Sequence, residues 1–174
     1  IAESPLEANT VWVGTDDGLV HLTRDGGKNW NEVTPGGLPE WATIEGLEAS
    51  RFEAGRAYVV AHRYRLGDDR PMLYRSDDFG ARWTAISKGL PADMPLYALR
   101  EDRDDPNTLY LGAERDLYIS TDRGATWRSM RLNLPPVAVT DLEISHSGDL
   151  VVGTRGRAIW VLDNIRPLRA IAKN

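Results

Sequence analysis

The polar segments of this 174-residue chain hold the residue types that sugar chemistry uses. Acids stand close together as Asp16 with Asp17, Asp68 with Asp69, and Glu114 with Asp116. Two carboxylates flanking a glycosidic bond can act as general acid and as base or nucleophile. Arg63, Arg65, Arg115, Arg155 and Arg157 suit an anionic substrate, and Tyr64 between two arginines offers a phenol or a stacking face. Turns favour Asp for its local hydrogen bonds whatever the function, so these acids identify no site by themselves. His21, His62 and His146 lack any metal-ligand spacing, and no metal or cofactor is expected. The acid-rich stretch EDRDDPN, 101–107, lacks the central Gly and final Glu of a calcium loop and reads as a turn.

The elements that must position these residues are set by a repeat. TRDGGKNW (23–30), SDDFGARW (76–83) and STDRGATW (120–127) share one spacing: Ser/Thr, then Asp two residues on, Gly two further, and Trp three beyond that. In each box Asp25, Asp78 or Asp122 is expected to accept hydrogen bonds from the N–H groups one and two residues on. The hydroxyl of Thr23, Ser76 or Ser120 adds a local bond, and Gly27, Gly80 or Gly124 permits a left-handed backbone. Trp30, Trp83 and Trp127 supply rings that pack between repeats.

Short β-branched and aromatic runs surround each box. TVWVGT (10–15), GLVHLT (18–23) and WNEVT (30–34) recur as TLYLGA (108–113), DLYIST (116–121) and WRSMR (127–131). IEGLEAS (44–50), LYALRE (96–101) and VTDLEIS (139–145) supply a preceding strand, and residue 1 aligns within another. Each unit thus has strands A to D with the box as the C–D turn. DLVVGT (149–154) and AIWVLD (158–163) begin a fourth unit, in which Asp163 aligns with Asp122 but Ile165 replaces the Gly and no Trp follows. GLP or NLP after each Trp, at 37–39, 89–91 and 133–135, ends strand D and joins the units. Four repeats are expected, 1–41, 42–94, 95–137 and 138–174, the last without a clear strand D. Four-stranded units of this size predict an all-β fold, a β-propeller or an open arc of one.

The boxes resemble the Asp-box, or BNR, repeat of bacterial sialidases, xyloglucan-active glycoside hydrolases, photosystem assembly factors and sortilin-type receptors. WVGTDDGLVHLTRDGGKNW (12–30), GLPEW (37–41), HRYRLGDDRPMLYRSDDFGARW (62–83) and VVGTRGRAIWVLDNIRPLR (151–169) look more specifically like the last blades of large bacterial sortilin-like BNR-repeat proteins called glycosyl hydrolases. The resemblance implies a propeller portion of a larger exported protein.

Composition is that of a packed domain, with 41% hydrophobic and 27% charged residues. A net charge of −5 argues against a nucleic-acid surface. The longest apolar run, AYVVA at 57–61, is too short for membrane insertion. Zero cysteines exclude disulfides and thiol catalysis.

In an antiparallel blade the A–B and C–D turns share one end, and the B–C turns and D–A connections share the other. The boxes therefore mark a structural end. Ligand residues are expected opposite: Asp16 and Asp17; His62, Arg63, Tyr64, Arg65, Asp68 and Asp69; Glu114 and Arg115; Arg155 and Arg157. Between strand B and the box the second repeat is the longest, and the excess, HRYRLGDDRP at 62–71, reads as a binding loop or a hairpin extension. The expected role is a scaffold presenting loops to a protein, peptide or glycan; the alternative is a glycoside hydrolase using a carboxylate pair on that end. Exposed edges on the terminal blades predict self-association or completion by further polypeptide.

Overall fold

The computed structural model describes residues 1–130 and 133–171. Its strands form four antiparallel sheets, each built from consecutive strands. The first holds β1 (Ala2–Glu3), β2 (Val11–Gly14), β3 (Val20–Thr23) and β4 (Asn31–Glu32). The second holds β5 (Thr43–Ala49), β6 (Ala57–Arg63), β7 (Asp68–Ser76) and β8 (Thr84–Ala85). The third holds β9 (Leu96–Glu101), β10 (Leu109–Ala113), β11 (Leu117–Ser120) and β12 (Arg128–Ser129). The fourth has three described strands, β13 (Val139–Ile144), β14 (Leu150–Thr154) and β15 (Ile159–Leu162), followed by helix α1 (Arg166–Ile171). The sheets are blades of an open propeller arc, and the first strands β1, β5, β9 and β13 touch one another in turn along its inner edge. The fourth strands are two residues long; of the expected strand 127–131, Arg131 lies outside the described residues.

The core lies between blades, as the two-residue alternation of a strand requires. Tyr58, Val60 and Leu73 of the second blade meet Leu99, Leu109 and Leu111 of the third. Ala98 and Tyr110 of the third meet Leu142, Leu150 and Val152 of the fourth. Each strand thus offers one face to the preceding blade and one to the next.

The boxes close their turns with partners other than those expected. Asp25 Oδ1 accepts the N–H of Asn29 at 2.9 Å, Asp78 Oδ1 that of Arg82 at 2.8 Å, and Asp122 Oδ1 that of Thr126 at 2.8 Å, each four residues on. The shorter side chain takes the nearer donor: Thr23, Ser76 and Ser120 accept from the N–H of Gly27, Gly80 and Gly124 at 2.8–2.9 Å and donate to their own Asp. The N–H after each Asp, on Gly26, Phe79 and Arg123, donates to a carbonyl in the A–B turn, tying both turns to one end. Hydrogen bonds from Asn29 and Thr23 hold the Asp25 carboxyl down at about 2.

Two of the three tryptophans pack across blades as expected. Trp83 Nε1 donates to Val33 O and Trp127 Nε1 to Ile86 O, both at 2.7 Å. Trp30 does not: it is 44% exposed. In the fourth unit the register shifts, because β15 pairs Trp160 with Val152 where β11 pairs Tyr118 with Leu111. That hairpin is one residue longer, so it is the Ile165 N–H, donating to Gly148 O, that repeats the bond of Arg123 N–H to Asn107 O. Asp163 therefore does not occupy the position of Asp122. Ile165 is fully buried instead, in the cluster that also holds Met130 and Leu134 and against which the partly buried Leu168 packs.

Candidate functional site

The segment 62–71 continues the β6–β7 hairpin rather than forming an irregular loop. Arg63 pairs with Asp68 in the ladder, Tyr64–Leu66 make one 3₁₀ turn, and Gly67 reverses the chain at φ 76°. Of the two readings of this stretch, binding loop or hairpin extension, the backbone is that of the extension. The extension carries His62 and Tyr64 toward the inner edge of the arc. His62 is only 2% exposed, and its Nε2 lies 3.1 Å from Glu45 Oε2 on β5.

Three blades meet there. The His62 ring lies 4.6 Å from Tyr64 and 5.6 Å from Tyr97, with Tyr64 and Tyr97 6.2 Å apart and nearly perpendicular. Tyr97 stands on β9 of the third blade, and Arg155, from the β14–β15 turn of the fourth, lies 5.1 Å over its ring. Tyr97 donates its hydroxyl to Glu114 Oε2. Burial, and then the Glu114 carboxylate, raise the Tyr97 phenol above its ordinary range, so it stays protonated as a donor. Beside it Arg115 reaches Asp93 at 2.8 Å. Tyr64, Tyr97, Arg155, Glu114, Arg115 and Asp93, with Asp69 and Pro95, line a cavity of about 240 Å³. The arrangement provides two aromatic walls, a cation stacked on one of them, and carboxylates at the rim, which suits hydrogen bonding and stacking against a ring or planar group.

The cavity gathers Tyr64, Asp69, Glu114, Arg115 and Arg155 from the expected ligand residues, with His62 packed behind them. The remainder do not line it. Asp17 accepts from Thr15 Oγ1, and the Asp16 carbonyl accepts from Thr43 Oγ1. Asp68 is held by Arg70 through bonds of 2.8 and 2.7 Å, which lower its carboxyl. Arg65 lies 5.7 Å over the Tyr64 ring, Arg63 is half-buried, and Arg157 is exposed, its carbonyl accepting from Trp160 Nε1. Asp116 accepts from Ser129 Oγ within its own blade. In the turn 101–107 the Asp102 and Asp105 carboxylates accept backbone N–H groups, as the turn reading expects. Sequence reasoning missed Glu45, Asp93 and Tyr97; Tyr97 looked like one more strand aromatic.

A second cavity, about 220 Å³, opens at the opposite, box-bearing end of the inner edge. Arg100 on β9 lies there 3.7 Å from Glu48, 3.4 Å from Asp141 and 3.6 Å from Glu143. Burial pushes the Glu48 carboxyl up to about 7 against the pull of Arg100. Glu101 beneath it is 1% exposed and accepts from Ser50 Oγ, Arg51 N–H and Tyr58 OH. No reading of the sequence singled out this cluster, which draws on first strands of three different blades.

No family profile matches the chain. Over 81 residues, 46% of this chain and 10% of the relative, it is 28% identical to an oligoxyloglucan-reducing end-specific xyloglucanase of Emericella nidulans. Among solved structures, YCF48 bound to D1 peptide matches at a TM-score of 0.66 and 17% identity, covering 94% of this chain and 50% of that one. A xyloglucanase of Xanthomonas campestris matches at 0.68 and 18%, covering 91% and 26%. The extracellular domain of a putative one-component system from B. thetaiotaomicron matches at 0.67 and 17%, covering 94% and 20%. The chain thus spans a tenth of the curated relative and half or less of these structures. At these identities the likeness is one of fold: four sheets arranged as part of a β-propeller.

Proposed function

We propose that this chain is a ligand-binding portion of a larger, exported β-propeller protein, and that its inner cavity at the B–C end receives a peptide or a glycan chain. The observation that carries this reading is the convergence of Tyr64, Tyr97 and Arg155 from three successive blades on one cavity. The Arg155 guanidinium donates, Glu114 and Asp69 accept, and two rings offer faces for stacking. Similar folds are described with a bound peptide and as xyloglucanases, which supports both ligand classes. We read the three boxes as Asp-box repeats that hold the blades, and the stretches 1–41, 42–94, 95–137 and 138–174 as four blades of the sortilin-like kind.

A second reading is a glycoside hydrolase, favoured by the presence of Asp69, Asp93 and Glu114 around one cavity. Its weakness is that Asp93 is paired to Arg115 and Glu114 to Tyr97, leaving Asp69 as the acid without such a partner among the described residues. One screen separates the two: xyloglucan oligosaccharides and a peptide library, assayed for binding and for hydrolysis with the wild type and the Asp69→Asn/Glu114→Gln double variant. The binding reading expects capture without turnover and a modest affinity change. Turnover that the double variant abolishes overturns it in favour of the hydrolase.

A further inference from the structure

We propose that the open face of the first blade seats the outermost strand of one further blade of the same kind, carried by polypeptide that precedes Ile1.

The molecule itself supplies the pattern. Val11, Ala57 and Leu109 are equivalent, since each pairs with the first residue of its own box, Thr23, Ser76 or Ser120. Two residues on, Val13, Val59 and Leu111 are equivalent in the same way. Ala57, Val59, Leu109 and Leu111 are buried to 0% against the blade before them, whereas Val11 and Val13 remain half-exposed. The tryptophans behave alike. Trp83 and Trp127 each donate to the carbonyl of an apolar residue three positions past the preceding blade's Trp, namely Val33 and Ile86. Trp30 Nε1 has no acceptor among the described residues, and its ring is 44% exposed.

The glycines agree. A methyl group on Gly80 would lie 2.6 Å from Val33, and one on Gly124 would lie 2.6 Å from Ile86, so the same apolar side chain rests on each box glycine. On Gly27 the nearest atom is Nε1 of its own Trp30, at 3.7 Å. The first blade therefore presents a half-built interface whose missing half is specified: an apolar side chain over Gly27 and its main-chain carbonyl before Trp30.

A second copy of the chain does not offer that half. Met130 follows its last four-stranded blade and is itself buried, 6% exposed, in the cluster that holds Ile165 and against which Leu168 packs. Chain spacing says where the right strand lies. The next first strand begins at Thr43 after Val33, at Leu96 after Ile86 and at Val139 after Met130, nine or ten residues in each case. Ala2 faces Trp12 as Glu48 faces Tyr58 and Arg100 faces Tyr110, so the occupant is the apolar residue of a Trp-x-x-apolar stretch ending about fourteen residues ahead of Ala2.

The test is residue-resolved tryptophan oxidation of the longer polypeptide, with internal standards. Trp41, 65% exposed, marks the reactive limit and Trp127, 9% exposed, the protected one. Trp30 is expected to lose its reactivity to the level of Trp83 and Trp127 while Trp41 stays reactive. Trp30→Ala in that polypeptide is expected to lower the melting temperature as Trp83→Ala does. Trp30 reacting as fast as Trp41, protection that appears only as protein concentration rises, or a coding sequence without the Trp-x-x-apolar stretch would each overturn the proposal. The oxidation needs no variant and stands if Trp30→Ala fails to fold.

Discussion

Trp127 reaches across from the third blade to the second and donates its indole N–H to the main-chain carbonyl of Ile86, the residue that follows the second blade's last strand. The same bond joins Trp83 to Val33, so one contact fixes two successive blade boundaries. Trp127→Phe keeps most of the ring but leaves the Ile86 carbonyl without its donor, at an expected cost of about 1–3 kcal/mol. Denaturant unfolding of Trp127→Phe and Trp83→Phe is expected to show reduced stability. An unchanged midpoint for Trp127→Phe would place the adhesion between blades elsewhere.

The box hydroxyls predict a separate effect. Ser120 is 1% exposed and accepts from the Gly124 N–H at 2.8 Å, so Ser120→Ala strands a buried donor. The expected loss is about 1–3 kcal/mol, measurable by thermal unfolding, with ligand capture retained wherever the fold survives. Loss of capture at unchanged stability would assign the box a functional role.

Acid should act on the boxes through Asp25. Its carboxyl sits at about 2, lowered from 3.8 chiefly by the Asn29 N–H. A depressed folded value means that its stabilisation is present above about pH 4 and is lost as pH falls through about 2. Asp25→Asn is expected to flatten that part of the stability profile, and a profile identical to the wild type would show the turn to be indifferent to charge.

Glu48 predicts the opposite sign. Burial raises it from 4.5 to about 7, so its folded-state stabilisation is present below about pH 4.5 and lost as pH rises through 7. Glu48→Gln keeps the shape and removes the buried charge. It is expected to match the wild type near pH 4 and to gain on the order of 1–3 kcal/mol above pH 7, a gain already net of the attraction to Arg100. A variant destabilised above pH 7 would show that Arg100 outweighs the desolvation.

Much of the fold was legible because short apolar runs bounded by turn residues leave few alternatives. LYALRE at 96–101 is β9 itself, and the expected strand orders within blades are the observed ones. What escaped depends on three-dimensional neighbours. Two-residue alternation shows that Tyr97 and Ala98 face opposite ways, but not that Tyr97 meets His62 and Arg155 from other blades. One added residue in the last hairpin, invisible in an ungapped alignment, moved Asp163 off the box position and let Ile165 enter the core. Glu48 lies in the strand run 44–50, and nothing in that run shows that Arg100 and Glu143 from two other first strands stand around it.

Ligand is expected at the B–C end, in the cavity lined by Tyr64, Tyr97, Glu114 and Arg155. Amide chemical-shift mapping with an oligosaccharide or peptide captured in the screen tests it most directly, repeated with Tyr64→Ala and Arg155→Ala. Perturbations are expected to centre on 62–69, 93–97, 114–115 and 155, and to vanish at the same ligand concentration in both variants while the remaining spectrum is preserved. Perturbations centred instead on Glu48, Arg100 and Glu143 at the opposite end, unaffected by either variant, would contradict it.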